Sequence, residues 1–244
     1  MQTIEIFKDT GVFVAGSTVR GPVADPSEPY AGFSLCTYTG DADSHTNACR
    51  EALAGVLGIP PANIIAPRQT HSSAVAVFRE GMPVPEGVDA LVCATPGYAI
   101  GVNTADCVPV LFADSTARIV GAAHAGWRGA AGGIVGETVA AMEALGADPR
   151  RMEAIVGACI HAECFEVGEE VAAQFPPQCV RRCYGARPHV DLVEAVRLGL
   201  LGAGVAAGNI AVAQGCTLCS PHRYFSARSL GVRSGRNFTF IMLR

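Results

Sequence analysis

Hydrophobic residues along this chain fall into short runs separated by glycine, proline and polar residues. Two such runs, 109–112 and 119–123, are joined by the polar segment 113–116. Runs of this length bounded by breakers are typical of buried strands, and the short connector predicts that they pair as a hairpin. Beyond them, apolar residues recur at helical spacing over 133–145, which predicts a helix that ends at Gly146.

The same patterns predict the remaining elements. Helices are expected at 46–57, at 167–175 and after Asp191, which is placed to cap a helix that reaches Leu201. Further strands are expected at 5–7, 12–14, 64–66, 74–78, 89–94, 98–103, 153–158, 209–213 and 237–242. Helices and strands without strict βαβ order favour an α+β fold with mixed β-sheets and flanking helices. We predict a single compact domain over 1–244.

Composition narrows the functional classes. The chain has 244 residues, half of them hydrophobic, and a net charge of −4. It can bury a large core, and it lacks the basic surface typical of nucleic-acid or membrane binding. The segment 1–11 carries three charges and no apolar centre, which argues against a signal peptide, and the uncharged stretch 198–222 is interpreted as helix, turn and strand. A cytoplasmic protein is expected, with its ten cysteines reduced.

Three residues are candidates for one site. Cys107 precedes the first strand of the predicted hairpin and His124 follows the second, so pairing brings them together. A thiol beside an imidazole fits two metal ligands or a nucleophile with its base. His71, which lies between two apolar runs in a Gln-Thr-His-Ser-Ser segment, would favour a metal. The alternative is a surface histidine and a buried, inert cysteine.

Several segments resemble one known family. QTHSSAV (69–75), NTADCVPVLFAD (103–114), AAHAGWRGAAGGI (122–134), VGACIHAECFEVGEEV (156–171) and CTLCSPHRYFSARSLGVRSGR (216–236) are similar to the YfiH-like laccase-domain family. That family is also called the multicopper polyphenol oxidase or peptidoglycan editing factor family. The segments occur in the family's order and span nearly the whole chain. One departure is the N-terminal segment 14–20, which lacks a histidine that the family often has.

The resemblance implies an α+β fold and a metal site, usually zinc, on His71, Cys107 and His124. It also implies phosphorolysis of adenosine, inosine and methylthioadenosine to base and ribose 1-phosphate, with adenosine deamination. Purine nucleosides and phosphate are then the expected small-molecule partners. A His₂Cys set leaves a tetrahedral zinc one open position, where a bound water becomes acidic enough to attack an electrophile. The oligomeric state does not follow from the sequence.

Residues around this set are further candidates. Asp106 could act as a general base, orient a ligand or shape the turn. Arg128, in a glycine-rich loop before the predicted helix, could bind phosphate or substrate, or hold that loop. Trp127 could stack on a purine or anchor packing. Asp89 is either a turn or cap residue or the hydrogen-bond partner of a ligating histidine. His161 is a candidate for the mouth of the substrate pocket.

Two remaining groups are less specific. Asn103 and Thr104 could hold the site loop through side-chain hydrogen bonds. Cys216 and Cys219 form half of a zinc motif, and Cys179 with Cys183 is the nearest second pair. The other histidines, His45, His189 and His222, are expected on the surface or in loops.

Three enzymatic functions compete at this point. The first is a zinc-dependent purine nucleoside phosphorylase and adenosine deaminase. The second is a copper-dependent polyphenol oxidase, for which Cu²⁺ could occupy the same ligands, although six histidines are few for a multicopper cluster. The third is a Cys–His amidase that edits peptidoglycan precursors, with Cys107 as nucleophile and His124 as base. A protein without catalytic activity would leave the clustering of these residues unexplained.

Overall fold

Two β-sheets form the centre of the molecule. In a computed structural model that describes residues 3–244, the strands are β1 (Ile4–Asp9), β2 (Phe13–Thr18), β3 (Ile64–Ile65), β4 (Val75–Phe78), β5 (Ala90–Cys93), β6 (Ala99–Thr104), β7 (Val108–Asp114), β8 (Ile119–Ala125), β9 (Glu153–Val156), β10 (Val180–Arg181), β11 (His189–Val190), β12 (Ile210–Val212) and β13 (Asn237–Leu243). One of these sheets has the order β1-β2-β13-β6-β3 and the other β12-β9-β7-β8-β5-β4, while β10 and β11 form a separate two-stranded sheet. Pairing is antiparallel except for β3 with β6, β4 with β5 and β9 with β12.

Helices cover the outer faces of both sheets. They are α1 (Asp43–Leu57), α2 (Trp127–Ala131), α3 (Ile134–Glu143), α4 (Glu169–Ala172), α5 (Leu192–Gly202) and α6 (Ala227–Leu230). Short 3-10 turns lie at Pro61–Asn63, Pro177–Cys179 and Ala207–Asn209. Among residues 3–244, no helix combines the length and the apolar character needed to cross a membrane.

Side-chain alternation along β7 explains the layers. Val110 and Phe112 point into the core that α3 and α5 cover. Leu111 and Ala113 point the other way, into the core between the two sheets. Since successive residues of a strand face opposite sides, a strand buried on both faces has a continuous apolar sequence. A third cluster packs α1 against the outer face of β2, β6 and β13. The predicted α+β fold of mixed sheets and flanking helices in a compact domain is confirmed.

Local predictions failed where tertiary contacts decide the conformation. The helix expected at 167–175 is the single turn α4. The α1 helix begins at Asp43, three residues before the predicted start at 46, and Ala42 at its N-terminus provides no side-chain cap. Asp191 does cap α5, since its carboxylate accepts from the Glu194 amide at 2.9 Å. His189 was expected on the surface or in a loop, but it lies buried in β11 with Nδ1 2.9 Å from the Ala162 carbonyl.

Candidate metal centre

The β7–β8 hairpin brings Cys107 and His124 to one end of the six-stranded sheet. Val108 pairs with Ala125. Cys107, just before β7, and His124, in β8, therefore lie side by side at the same end of the sheet, as the sequence predicts. His71 comes from the loop between β3 and β4. Ligand atoms of the three residues all lie within 4.8 Å of one another, and Cys107 Sγ is 3.9 Å from His71 Nε2.

Hydrogen bonds to the Asp89 carboxylate hold the two histidines of this set in position. This fully buried carboxylate lies 2.8 Å from His124 Nδ1, so Nδ1–H donates to it and Nε2 stays free as a ligand. The same carboxylate accepts from the backbone amides of Thr70, His71 and Ser72 at 3.1, 2.9 and 2.7 Å. Asp89 therefore fixes both histidine ligands, one through its ring and one through its backbone. The interpretation of Asp89 as a partner of a ligating histidine is the one that the geometry supports.

The His71 loop is held in a conformation that few residues adopt freely. His71 has φ of 60°, in the left-handed region. The hydrogen bonds to Asp89 stabilise this conformation, since they use three consecutive amides of the loop. Gln69 adds two more bonds, because its side-chain amide accepts from and donates to the Asn103 backbone, both at 2.8 Å. The loop is therefore positioned before any ligand binds.

Gly126 leaves space at the centre of the set. A Cβ at this position would lie 2.9 Å from His71 Cδ2, 3.2 Å from Cys107 Sγ and 3.5 Å from His124 Cε1. A side chain at this position would displace the His71 ring and crowd the Cys107 sulfur. Its φ is −65°, so close approach rather than backbone freedom requires glycine here.

Electrostatics within the set favour an ion pair between a Cys107 thiolate and a protonated His124, whose Nε2 proton an incoming metal ion would displace. Burial raises the pKa of the Cys107 thiol, but the charge of His124 and hydrogen bonds from His124 and His71 outweigh it and lower the pKa to about 6. Burial lowers the pKa of His124, but the Cys107 thiolate and Asp89 raise it to about 9. Burial also acts to raise the pKa of Asp89, whereas hydrogen bonds from His124 and Ser72 hold it well below its usual range. The thiolate that a metal requires is therefore the favoured form at neutral pH.

The donor set fits a soft or borderline transition metal. Two imidazoles and one thiolate are ligands of zinc and of copper, and three protein ligands leave a tetrahedral ion one open position. The space beside Gly126 and the buried carboxylate behind His124 are the features such a site needs. His71, Cys107 and His124 therefore fit either metal.

Asp106 shapes the loop before β7. Its carboxylate accepts from the Thr217 hydroxyl and the Arg228 amide, each at 2.7 Å, and its carbonyl accepts from the Ile160 amide at 2.9 Å. Its φ is 90°, a strained conformation that these three contacts hold in place. Two distant segments of the chain thereby position the residue beside Cys107.

Trp127 and Arg128 lie in a short helix instead of the predicted loop. The α2 helix has only five residues and contains both. Trp127 packs against the core on one side, and the Arg128 guanidinium lies 4.1 Å from its ring centroid. This arrangement supports a packing role for Trp127. The Arg128 side chain is exposed and lies two residues after Gly126 in the chain.

His161 is not brought into the same set. It lines a different cavity, together with Asp191, Val193 and Gln214. The buried atoms Asn103 Oδ1 and Thr104 Oγ1 have no hydrogen-bond partner among the described residues, so the predicted side-chain bonds within the site loop do not form through them.

Sequence reasoning missed several residues that position the site. The sequence predicted no role for Gln69 or Ser72, which were noted only as polar neighbours of His71. It did not distinguish Gly126 from the other glycines of its segment. Thr217 contacts Asp106 across 111 positions, a pairing that no local pattern indicates. Its one signal is its place between Cys216 and Cys219.

Comparison with known proteins identifies the class. The family model described as multi-copper polyphenol oxidoreductase laccase matches residues 15–244. A crystal structure of the hypothetical protein YfiH from Bacillus licheniformis superposes with a TM-score of 0.88 at 27% identity, covering 95% of this chain and 93% of that one. The Neisseria meningitidis protein NMB0706 gives 0.85 at 32% identity and covers 99% of each chain. This chain belongs to the multi-copper polyphenol oxidoreductase laccase family, as its motifs suggest.

Curated relatives carry more specific names. A protein named adenosine deaminase RL5, from an unknown prokaryotic organism, is 41% identical and the match covers 99% of this chain and 98% of that one. A purine nucleoside phosphorylase of Deinococcus radiodurans is 40% identical over 88% of this chain and 83% of its own length. A purine nucleoside phosphorylase of Bacteroides thetaiotaomicron is 34% identical over 88% of this chain and 86% of its own.

Proposed function

We propose that this protein is a zinc-dependent enzyme of purine nucleosides. It would cleave adenosine, inosine and methylthioadenosine with phosphate to base and ribose 1-phosphate, and would deaminate adenosine. The observation that carries the proposal is the preorganised set of His71, Cys107 and His124 with Asp89 behind it. The relatives named as adenosine deaminase and purine nucleoside phosphorylase support an enzyme that processes purine nucleosides.

The ligands have distinct tasks in this proposal. His71, Cys107 and His124 would hold the ion, and bound zinc supplies Lewis acidity at its open position. Asp89 keeps the His124 ring in the tautomer that presents Nε2. Asp106 keeps Cys107 in place; both of its carboxylate oxygens already accept a hydrogen bond, which favours positioning over proton abstraction.

The substrate side of the site is formed by α2 and its neighbours. Arg128 is exposed two residues after Gly126, and its guanidinium has the paired donors that suit a phosphate. Trp127 is covered by Arg128 on one ring face, so a purine could stack on that face only if the guanidinium moves. His161 would meet substrate only if the nucleoside extends into the cavity with Asp191 and Gln214.

The first test joins metal analysis to product analysis. Protein expressed without added copper is examined by mass spectrometry for zinc and copper, then incubated with adenosine, with and without phosphate. We expect zinc in the purified protein, adenine only when phosphate is present, and inosine in either buffer. A protein that binds no metal and leaves adenosine unchanged would contradict the proposal.

Replacing Arg128 with alanine tests the phosphate contact. Hydrogen bonds to a charged group contribute about 1.5–3 kcal/mol, so the KM for phosphate should rise roughly 10- to 100-fold. Zinc content and phosphate-independent deamination should stay unchanged. Arg150→Ala removes a surface arginine that pairs with Asp148 and serves as the control. An unchanged KM for phosphate in Arg128→Ala would exclude Arg128 from phosphate binding.

A Cys–His amidase is the second candidate. The lowered pKa of Cys107 beside His124, whose pKa is raised, is also what a nucleophilic thiolate with its acid–base partner needs. A chelator separates the two functions, because a cysteine amidase keeps its activity after metal removal and the zinc enzyme loses it. Copper-dependent phenol oxidation has less support. Among residues 3–244 only one cluster of potential metal ligands contains histidine, and it contains two.

A further inference from the structure

A second group of potential ligands lies outside the site described above. The sulfur atoms of Cys164, Cys216 and Cys219 all lie within 4.8 Å of one another. Cys164 Sγ is 3.3 Å from Cys219 Sγ, and none of the three forms a disulfide. A disulfide would bring the sulfurs to about 2.05 Å, so these are separate thiols. We name Cys164, Cys216 and Cys219 the thiol cluster.

Backbone hydrogen bonds join the segment 159–164 to the turn 216–219, and the thiol cluster lies where they meet. Cys159 and Cys216 form an isolated parallel β-bridge, and the Thr217 amide donates to the Cys159 carbonyl at 3.0 Å. From Cys159 the chain makes a helical turn in which the Cys164 amide donates to the His161 carbonyl, also at 3.0 Å. Backbone contacts therefore carry Cys164 to the turn that holds Cys216 and Cys219.

A backbone amide points at the buried sulfur of the cluster. The His161 amide donates to Cys216 Sγ at 3.4 Å. Amides aimed at the first sulfur of a Cys-x₂-Cys turn stabilise a thiolate and orient it as a ligand. Cys216 is buried, Cys164 half-buried and Cys219 exposed, so an ion could enter from the side of Cys219.

The distances suit one tetrahedral ion. With Zn–S bonds of about 2.3 Å, thiolate ligands of a tetrahedral zinc lie about 3.8 Å apart. The Cys164 and Cys219 sulfurs are 3.3 Å apart and no pair in the thiol cluster is more than 4.8 Å apart, so small side-chain shifts would bring all three to this spacing. We propose that Cys164, Cys216 and Cys219 bind a second, thiolate-coordinated zinc ion, distinct from the ion of the His71, Cys107 and His124 site.

The position of the cluster gives this second ion a structural task. Thr217 lies inside the Cys216–Cys219 turn, and its hydroxyl donates to Asp106 at 2.7 Å. An ion that fixes the turn therefore fixes the residue that holds the loop before Cys107. The pair predicted from sequence to complete a four-cysteine site does not take part. Cys179 is buried in the core beneath α5, and Cys183 is exposed outside the cluster.

Cobalt(II) substitution tests the proposal without measuring activity. The full-length protein is stripped of metal under reducing conditions, with Cys107→Ala introduced to disable the first site. Added Co²⁺ should produce the visible bands of a tetrahedral ion and the near-ultraviolet charge-transfer band of several thiolates, and about one equivalent of Zn²⁺ should abolish both. Wild-type protein should bind one further equivalent of Co²⁺. The wild-type titration keeps the test valid if Cys107→Ala is poorly folded.

Variants assign the bands to the cluster. Adding Cys219→Ser or Cys164→Ser should remove most of the charge-transfer intensity and lower zinc content by about one equivalent per chain. Cys183→Ser removes an exposed cysteine outside the cluster and should leave both unchanged. The proposal is overturned if Cys219→Ser and Cys183→Ser give equal spectra. It is equally overturned if folded Cys107→Ala protein shows no thiolate band, if the wild-type protein binds only one equivalent of Co²⁺, or if the purified protein carries a Cys164–Cys219 disulfide in place of metal.

Discussion

Cys107→Ala is expected to abolish metal binding at the histidine site and with it the turnover of adenosine. Cys107 supplies the only sulfur among the three ligands, and its thiolate is stabilised by His124 and His71. Loss of a partner that merely orients a ligand lowers metal affinity about 10- to 100-fold, so loss of the ligand itself should cost more than about 100-fold. Isothermal titration with zinc and an adenosine assay measure the two effects.

Cys93→Ala provides the control for this substitution. Cys93 is buried in the core between the sheets. Its replacement by alanine is the same chemical change, made away from the ligands. It should lose about 1 kcal/mol of unfolding free energy while zinc affinity and turnover remain at the wild-type level. Full activity with zinc bound in Cys107→Ala would show that the site assignment is wrong.

Asp89→Ala is expected to weaken both the fold and the metal site. The substitution leaves three loop amides and the His124 Nδ1–H without their acceptor in a buried position. Breaking such a network costs roughly 3–5 kcal/mol of unfolding free energy. Zinc affinity should fall by about 10- to 100-fold as well, because the His124 ring loses its orienting partner. Urea denaturation and zinc titration measure these effects separately.

Asp114→Ala separates the two effects. Asp114 is also buried, and it accepts from the amides of Thr116, Ala117 and Asp148 at 2.9 to 3.0 Å. It lies at the opposite end of the β7–β8 hairpin from the ligands. Asp114→Ala should therefore lose stability like Asp89→Ala while keeping wild-type zinc affinity. Equal loss of affinity in both variants would mean that Asp89 acts through general stability alone.

Much of the candidate metal centre can be predicted from local sequence patterns. Two short apolar runs joined by a polar connector predict the hairpin, and a hairpin places Cys107 beside His124 whatever the rest of the fold does. For Asp89, at the start of a predicted buried strand, the local pattern left two roles open: a turn or cap residue, or the hydrogen-bond partner of a ligating histidine. Its buried hydrogen bond to His124 supports the second role.

Other contacts depend on distances along the chain that no local pattern spans. The bond between Thr217 and Asp106 joins segments 111 positions apart, and Cys164 meets Cys219 across 55. Sequence proximity suggested Cys179 and Cys183 as partners of Cys216 and Cys219, but packing directs Cys179 into the helix-covered core. The helix predicted at 167–175 is regular only over Glu169–Ala172, because the Val167 amide bonds to the Pro188 carbonyl and the amides of Gln174 and Phe175 bond to carbonyls only three residues back.

Because Asp89 accepts hydrogen bonds from three consecutive amides, the entropic cost of ordering the His71 loop does not fall on metal binding. Residues 70–72 belong to a loop, yet their amides bond to a buried carboxylate much as strand amides bond to a neighbouring strand. Backbone ordering costs about 1–2 kcal/mol per residue, and here the loop is ordered when the chain folds. In the proposed zinc site, an incoming ion would meet ligands that already converge. Its capture would then need no refolding of the loop, and these amides should resist hydrogen exchange even in metal-free protein.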